Sequence, residues 1–249
     1  MSRNKVMVVG IGPGRYDQMT IRAARALENC DVIVGYTVYV DLVKEHFADK
    51  EFMTTPMRKE TERCELAFEQ ASQGKAVAMI CSGDAGVYGM SGLILEIGQR
   101  YPDTEVEIIP GVTAALSGAA CLGAPLIHDF CLISLSDLLT PWEKIARRLQ
   151  AAAEADFAIC LYNPSSHKRA DYLQKACDIL LAGRDASTVC GIVRQIGREG
   201  ESTQVLTLGE LRDTQVDMFT TVFIGNSQTR QIGDHMVTPR GYTSETHES

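Results

Sequence analysis

Short apolar runs alternate with segments of helical periodicity along this 249-residue chain, and the alternation constrains the fold more than any other feature. Residues 5–11 and 76–81 have the length and composition of buried strands. Between them, residues 62–73 carry apolar side chains at i, i+3, i+4 and i+7, the spacing of one helix face. Strands that alternate with helices predict a mainly parallel sheet in α/β layers.

A second series of elements begins near Ala124-Pro125. Strand-like runs recur at 130–134, 157–162, 188–194, 203–208 and 218–225, and helical patterns at 141–149 and 172–181. The sequence therefore predicts two α/β domains, residues 1–125 and 126–243, followed by a polar tail at 244–249. Each domain is expected to have a mainly parallel or mixed sheet flanked by helices, with the active-site cleft between the domains.

Composition excludes several classes of protein. The formal net charge of −8, from 24 basic and 32 acidic residues, argues against a nucleic-acid partner. No apolar run approaches the roughly 18 residues of a membrane span, and the N-terminus lacks a signal-peptide core, so we predict a cytoplasmic protein with no membrane partner. No two of the eight cysteines are closer than ten residues, which predicts small buried hydrophobes and no protein-bound metal.

The first strand ends in a glycine-rich turn, Gly-Ile-Gly-Pro-Gly at residues 10–14. A dinucleotide fingerprint needs a further glycine three residues after Gly12, where this chain has Arg15, and an acidic residue at the end of the second strand. Pro13 also removes a backbone donor from the turn. A nicotinamide-dependent dehydrogenase is therefore disfavoured, and a tight turn without a ligand remains an alternative.

Four further segments are placed where ligands bind in α/β proteins, at the carboxyl ends of predicted strands or at helix starts. They are Ser-Gly-Asp-Ala-Gly-Val-Tyr-Gly-Met at 82–90, Pro-Gly-Val-Thr-Ala-Ala at 110–115, Leu-Tyr-Asn-Pro at 161–164 and Gly-Ile-Val-Arg at 191–194. In this order and spacing, from Val6 to about Gly241, the segments resemble the tetrapyrrole methylase family. Residues 128–142 and 238–242 are similar to the members that act at carbon 17 in cobalamin biosynthesis.

The resemblance implies an S-adenosylmethionine-dependent C-methyltransferase that methylates carbon 17 of a corrin precursor with ring contraction, and it implies a homodimer. S-adenosylhomocysteine would be the other product. Ala85 stands where many members of the family have proline. An alanine at this position resembles the oxygen-independent branch of the pathway, and it favours cobalt-factor III over precorrin-3B as substrate. Alternatives are a tetrapyrrole methylase acting at a different ring carbon and a non-catalytic S-adenosylmethionine-binding module.

The resemblance also implies positions for the cofactor. Asp84 could accept hydrogen bonds from its ammonium group or ribose, or could instead cap its own loop. The implied cofactor-binding residues are Pro13, Ser82, Gly83, Asp84, Val87, Tyr88, Thr113, Ala114, Tyr162, Asn163 and Gly191.

Proton transfer during ring contraction needs polar groups, and the candidates are His128, Asp129, Ser134, Asp137 and Thr140. Asp137 and Thr140 could instead cap the helix that starts at Pro141, and for Thr140 we favour the cap. The expected substrate-binding residues are Gly12, Arg58, Lys59 and Arg194. Carboxylates of the substrate could bind to a basic surface formed by Arg58, Lys59, Arg63, Lys168, Arg169, Arg194 and Arg198. Alternatively, these residues are ordinary solvated surface charges.

Overall fold

The computed structural model describes residues 4–166 and 169–242, which fold as two compact units divided between Ala114 and Ala115. The domain boundary predicted from the sequence lies later, at residue 125, so the helix that begins at Ala114 falls in the predicted first domain but almost wholly in the second unit. Lys168 and the predicted tail at 244–249 lie outside the described residues.

The first unit is an α/β fold with a fully parallel sheet in the order β3-β2-β4-β1-β5. A 3₁₀ turn at Tyr16–Gln18 precedes the first helix. The elements are β1 (Lys5–Gly10), α1 (Ile21–Glu28), β2 (Val32–Tyr36), α2 (Thr37–Val43), β3 (Glu51–Thr55), α3 (Glu60–Ser72), β4 (Ala76–Cys81), α4 (Ser91–Gly98) and β5 (Glu105–Ile109).

Helices cover both faces of this sheet, so its central strands are apolar on both sides. Val6 and Val8 of β1 pack in one cluster with Phe68 of α3. Met7 and Val9, whose side chains alternate with those of Val6 and Val8, pack in a second cluster with Leu27 of α1. Burial on both faces is why parallel strands appear in the sequence as continuous apolar runs.

The second unit has a mixed sheet in the order β10-β9-β11-β8-β7, in which only β7 and β8 are parallel. A smaller sheet has the order β12-β13-β6. The elements are α5 (Ala114–Leu122), β6 (Gly123–Ala124), β7 (Phe130–Ser134), α6 (Trp142–Glu154), β8 (Ala158–Tyr162), α7 (Tyr172–Leu181), β9 (Val189–Arg194), β10 (Ser202–Thr207), α8 (Leu208–Arg212), β11 (Thr220–Ile224), β12 (Arg230–Ile232) and β13 (His235–Val237).

Two glycines allow α5 to pack closely on this mixed sheet. A Cβ on Gly118 would lie 2.8 Å from the Phe223 ring, and a Cβ on Gly191 would lie 2.5 Å from Leu122. Helices α6, α7 and α8 pack on the sheet through a separate cluster that includes Ile145. The predicted fold class, with one parallel and one mixed sheet flanked by helices, is confirmed.

The start of α6 corrects one expectation. Pro141 occupies the N-cap position, with φ −55° and ψ 141°, and the helix begins at Trp142. Thr140 is therefore not the N-cap, and Pro141 precedes the first turn. An N-cap needs an extended backbone, which proline adopts readily because its ring fixes φ near this value.

The cysteines are free thiols, and six of the eight are buried, the exceptions being Cys121 and Cys131. Burial raises the pKa of the Cys81 thiol to about 11, so it stays protonated at neutral pH. Within the described residues, no group of three or more histidine, cysteine, aspartate or glutamate side chains could hold a metal ion. No helix between residues 4–166 or 169–242 is long and apolar enough to cross a membrane.

Candidate functional site

Three loops leave the carboxyl ends of β4, β1 and β5, which are neighbours in the parallel sheet. The first two loops are joined by a reciprocal pair of hydrogen bonds. Gly12 N–H donates to the Gly83 carbonyl at 3.0 Å, and Gly83 N–H donates to the Gly12 carbonyl at 2.7 Å. Both glycines have positive φ, 75° and 69°. Because these amides are already paired, the glycine-rich turn after β1 is not an open phosphate-binding nest.

The third loop approaches the other two at Gly111. A Cβ on Gly111 would lie 2.2 Å from the Gly83 carbonyl oxygen and 2.5 Å from the Gly10 carbonyl oxygen. A Cβ on Gly10 would lie 2.6 Å from the Gly111 nitrogen. Real side chains do not approach backbone atoms this closely, so glycine at these positions permits three backbone segments to converge.

Asp84 holds this convergence together. Its Oδ1 accepts the backbone N–H groups of Gly86 at 2.8 Å and Val87 at 3.1 Å, and its Oδ2 accepts the N–H of Gly111 at 2.9 Å. The loop-capping role that the sequence offers as an alternative is therefore present. Contact between Asp84 and a cofactor stays a prediction.

The rest of the β4–α4 loop is also fixed. Ser91 donates to the Ala85 carbonyl from its backbone N–H at 3.0 Å and from its hydroxyl at 2.6 Å. Ala85, the residue that departs from the family pattern, is fully buried. Tyr88 is exposed and has φ 53°, an unusual conformation for a bulky residue. The loop thus presents an exposed aromatic ring from a constrained backbone.

The donor set of these three loops fits the nucleoside and amino-acid parts of S-adenosylmethionine. Residues 10–14, 81–90 and 110–114 contain no lysine or arginine, and their polar groups include peptide groups, the Asp84 carboxylate and the hydroxyls of Ser82, Tyr88 and Thr113. A phosphate ligand would favour cationic side chains. Of the other predicted cofactor residues in this unit, Pro13 is buried, while Val87 and Ala114 are half-buried.

The remaining predicted cofactor residues lie in the second unit. Tyr162 ends β8, and its hydroxyl accepts the N–H of Ala115 in the first turn of α5 at 2.8 Å. Asn163 follows with φ 52°, and its amide donates to the Ser134 hydroxyl at 2.9 Å. Gly191 lies within β9, where its missing side chain gives room to Leu122. These three residues have structural roles, and their cofactor contacts stay predictions.

Asp137 lies between two donors that sequence reasoning did not connect to it. The Tyr172 hydroxyl donates to Oδ2 at 2.6 Å, and Arg169 Nη1 lies 3.2 Å from Oδ1. The Tyr172 hydrogen bond lowers the pKa of the Asp137 carboxyl, and Arg169 lowers it further. The same hydrogen bond raises the pKa of Tyr172. Asp137 is therefore an anchored carboxylate, ionised at neutral pH, and it does not cap α6.

The depressed pKa of Asp137 predicts a pH-dependent contribution to stability. Because the folded-state pKa is below the unfolded value, the contribution is present above about pH 5 and is lost as the pH falls below about 4. The free energy of unfolding of the parent should exceed that of Asp137→Asn at pH 6, and the difference should shrink by pH 3. Urea unfolding at both pH values measures it. Asp234→Asn, in the exposed β12–β13 turn, is the control. A difference that stays constant with pH would contradict the assignment.

His128 and Asp129 lie at the other end of β7 from Ser134 and Asp137. Asp129 and Ser134 are five residues apart along the chain, a distance of about 16 Å at the usual strand rise. Both side chains are exposed, and Asp129 N–H donates to His128 Nδ1 at 3.0 Å. The structure therefore does not bring the four predicted catalytic residues to one place.

The predicted basic surface divides into different environments. Arg63 is buried and donates to the Thr55 hydroxyl and the Pro56 carbonyl, so it is a structural residue of the first unit. Arg58 is exposed with φ 67°, and Lys59 pairs with Glu62 at 2.9 Å. In the second unit, three arginines of this surface have partners of their own: Arg169 pairs with Asp137, Arg194 donates to the Gln215 carbonyl, and Arg198 lies over the Phe219 ring.

Comparison with known proteins identifies the family. The family model for Tetrapyrrole (Corrin/Porphyrin) Methylases matches residues 5–212. A Salmonella typhimurium protein named "Probable cobalt-factor III C(17)-methyltransferase" is 49% identical over 95% of this chain and 98% of its own. A Priestia megaterium protein named "Cobalt-factor III methyltransferase" is 43% identical over 96% of this chain, which spans 45% of that protein.

Two solved structures are similar in fold. The crystal structure of the methyltransferase CobJ has a TM-score of 0.85 and 36% identity, over 94% of this chain and 99% of that one. Uroporphyrin-III C-methyl transferase from Thermus thermophilus, complexed with S-adenyl homocysteine, has a TM-score of 0.69 and 23% identity, over 89% and 97% of the two chains. The family match and the similarity to CobJ define an S-adenosylmethionine-dependent methyltransferase. The chain belongs to the tetrapyrrole methylase family.

Proposed function

We propose that this protein methylates carbon 17 of cobalt-factor III with S-adenosylmethionine, accompanied by ring contraction, in cobalamin biosynthesis. The observation that carries the proposal is the 49% identity to the Salmonella typhimurium protein across nearly all of both chains. That relative's name specifies both the cobalt-containing acceptor and the carbon. The Gly-Asp-Ala loop at residues 83–85 supports the same branch.

The chain's own residues serve mainly to hold loops in place. Bound S-adenosylmethionine supplies an electrophilic methyl group on its sulfonium. The hydrogen bonds of Gly12, Gly83 and Asp84 keep the loops after β1, β4 and β5 rigid, which favours a fixed geometry for methyl transfer. Asp137 is ionised at neutral pH and so donates no proton there. His128, Asp129 and Ser134 stay candidates for proton transfer during ring contraction.

The proposal extends to the state of the protein in the cell. We propose a cytoplasmic homodimer that takes a tetrapyrrole and binds neither nucleic acid nor a metal of its own, so that any cobalt belongs to the substrate. The net charge of −8 argues against a nucleic-acid partner, and the free thiols, six of the eight buried, support a reducing compartment.

Anaerobic incubation with S-adenosylmethionine and either cobalt-factor III or precorrin-3B tests the function. We expect cobalt-factor III to gain one methyl group by mass spectrometry, and to react faster than precorrin-3B. A ¹³C-labelled methyl group, located by NMR, should appear at carbon 17. A label at another carbon would favour a different methylase of the family. Cofactor binding without transfer to either acceptor would favour a non-catalytic binding module.

A further inference from the structure

The loop between β7 and α6, residues 135–141, is fixed at its base but exposes two leucines at its tip. Leu138 is 61% exposed and Leu139 is 98% exposed. Leaving leucine in water forgoes the stabilisation that its burial gives. Adjacent exposed leucines on a constrained loop therefore indicate an apolar surface that is held ready for a binding partner.

Several contacts constrain the loop on both sides of its tip. Leu135 is fully buried, and its N–H donates to the Tyr162 carbonyl at 2.9 Å, which continues the β7–β8 pairing. Asp137 is held by Arg169 and Tyr172. The Tyr172 ring contacts Trp142, the first residue of α6, with centroids 4.6 Å apart. The backbone on each side of the leucines is thus tied to α7 or to the sheet.

Polar groups lie beside this apolar tip at the carboxyl ends of β7 and β8. Arg169 Nη1 donates to the Ser136 hydroxyl at 2.8 Å as well as to Asp137. The Ser134 hydroxyl accepts from Asn163 and from the Ser136 N–H. The carboxyl ends of parallel strands are the usual ligand-binding edge of an α/β sheet. An apolar tip beside such groups matches a flat macrocycle that has apolar faces and a polar rim.

We propose that Leu138 and Leu139 are specificity-determining residues that contact the face of the acceptor tetrapyrrole. The inference rests on the proposed function, because a tetrapyrrole acceptor is the ligand whose face they would cover. Asp137, Arg169 and Tyr172 hold the loop so that the leucines are presented before the acceptor binds. Such preorganisation lowers the entropic cost of binding.

The test measures binding and turnover separately in Leu138→Ser/Leu139→Ser. We expect the dissociation constant for cobalt-factor III and its KM to rise about tenfold or more, which is about 1.4 kcal/mol or more. Affinity for S-adenosylmethionine should not change. Leu138→Met/Leu139→Met keeps the surface apolar and should bind cobalt-factor III within about twofold of the parent. Ile232→Ser, an apolar-to-serine change at a 49%-exposed position in β12, is the matched control.

Three outcomes would overturn the proposal. The first is a serine variant that binds cobalt-factor III as the parent does. The second is a serine variant that dissociates from a dimer on size-exclusion chromatography with light scattering while its acceptor affinity is unchanged, which would assign the leucines to a second copy of the chain. The third is a parent that neither binds nor methylates cobalt-factor III, which would overturn the proposed function as well.

Discussion

Gly111→Ala is expected to destabilise the first unit by about 3 kcal/mol or more, at or above the upper end of the usual cost of overpacking. The new methyl group would lie 2.2 Å from the Gly83 oxygen and 2.5 Å from the Gly10 oxygen. Both neighbours are backbone atoms, so no side-chain rotation can relieve the contact. The loops would have to separate, which would also strain the Asp84 hydrogen bond to the Gly111 N–H.

Urea unfolding of the apo-protein measures the effect, and Gly92→Ala is the matched control. Gly92 lies in α4, where an added Cβ would meet nothing within 4 Å. Alanine there should be neutral or stabilising by up to about 1 kcal/mol, because it is the better helix former. The two substitutions are chemically identical, and only Gly111→Ala should lower the free energy of unfolding. Equal stability of Gly111→Ala and the parent would show that the three loops are free to move apart.

The fold was predictable from the sequence wherever strands are buried on both faces. The observed bounds of β4 coincide with the predicted strand at 76–81, and those of β1 and β8 differ by one residue from the predicted strands at 5–11 and 157–162. Two elements of the first unit were missed for physical reasons. β3 is a half-exposed edge strand that contains polar residues, so it has no apolar run. α2 is rich in β-branched residues, whose local preference is for strands, and tertiary packing overrides that preference.

The candidate site was predictable only in part, because its hydrogen bonds join distant parts of the chain. The glycine-rich segments were found because each follows a strand. Asp137, however, binds Tyr172 35 residues later, and no local spacing signals that contact. The extended residues of β7 also separate His128 from Ser134, a distance that the residue types alone do not signal.

Asp84→Ala is expected to lower the free energy of unfolding of the apo-protein by about 2–4 kcal/mol. Three backbone N–H groups, those of Gly86, Val87 and Gly111, would lose a charged acceptor, and each buried unpaired donor costs about 1–3 kcal/mol. Gly86 is exposed, so water can replace its partner and the total falls below the simple sum. Chemical denaturation without cofactor measures this structural contribution by itself.

Asp84→Asn separates geometry from charge. An asparagine can place its oxygen toward Gly86 and Val87 or toward Gly111, but its amide group then faces the other N–H as a second donor. We therefore expect Asn to recover only part of the lost stability. S-adenosylmethionine affinity, measured by calorimetry at a temperature where both variants are folded, then tests the cofactor role. If Asp84→Ala kept the stability of the parent but lost cofactor binding, Asp84 would be a ligand rather than the residue that joins the three loops. If stability and affinity both fell, and Asn recovered them in parallel, the carboxylate would act on the cofactor through the loops that it holds together.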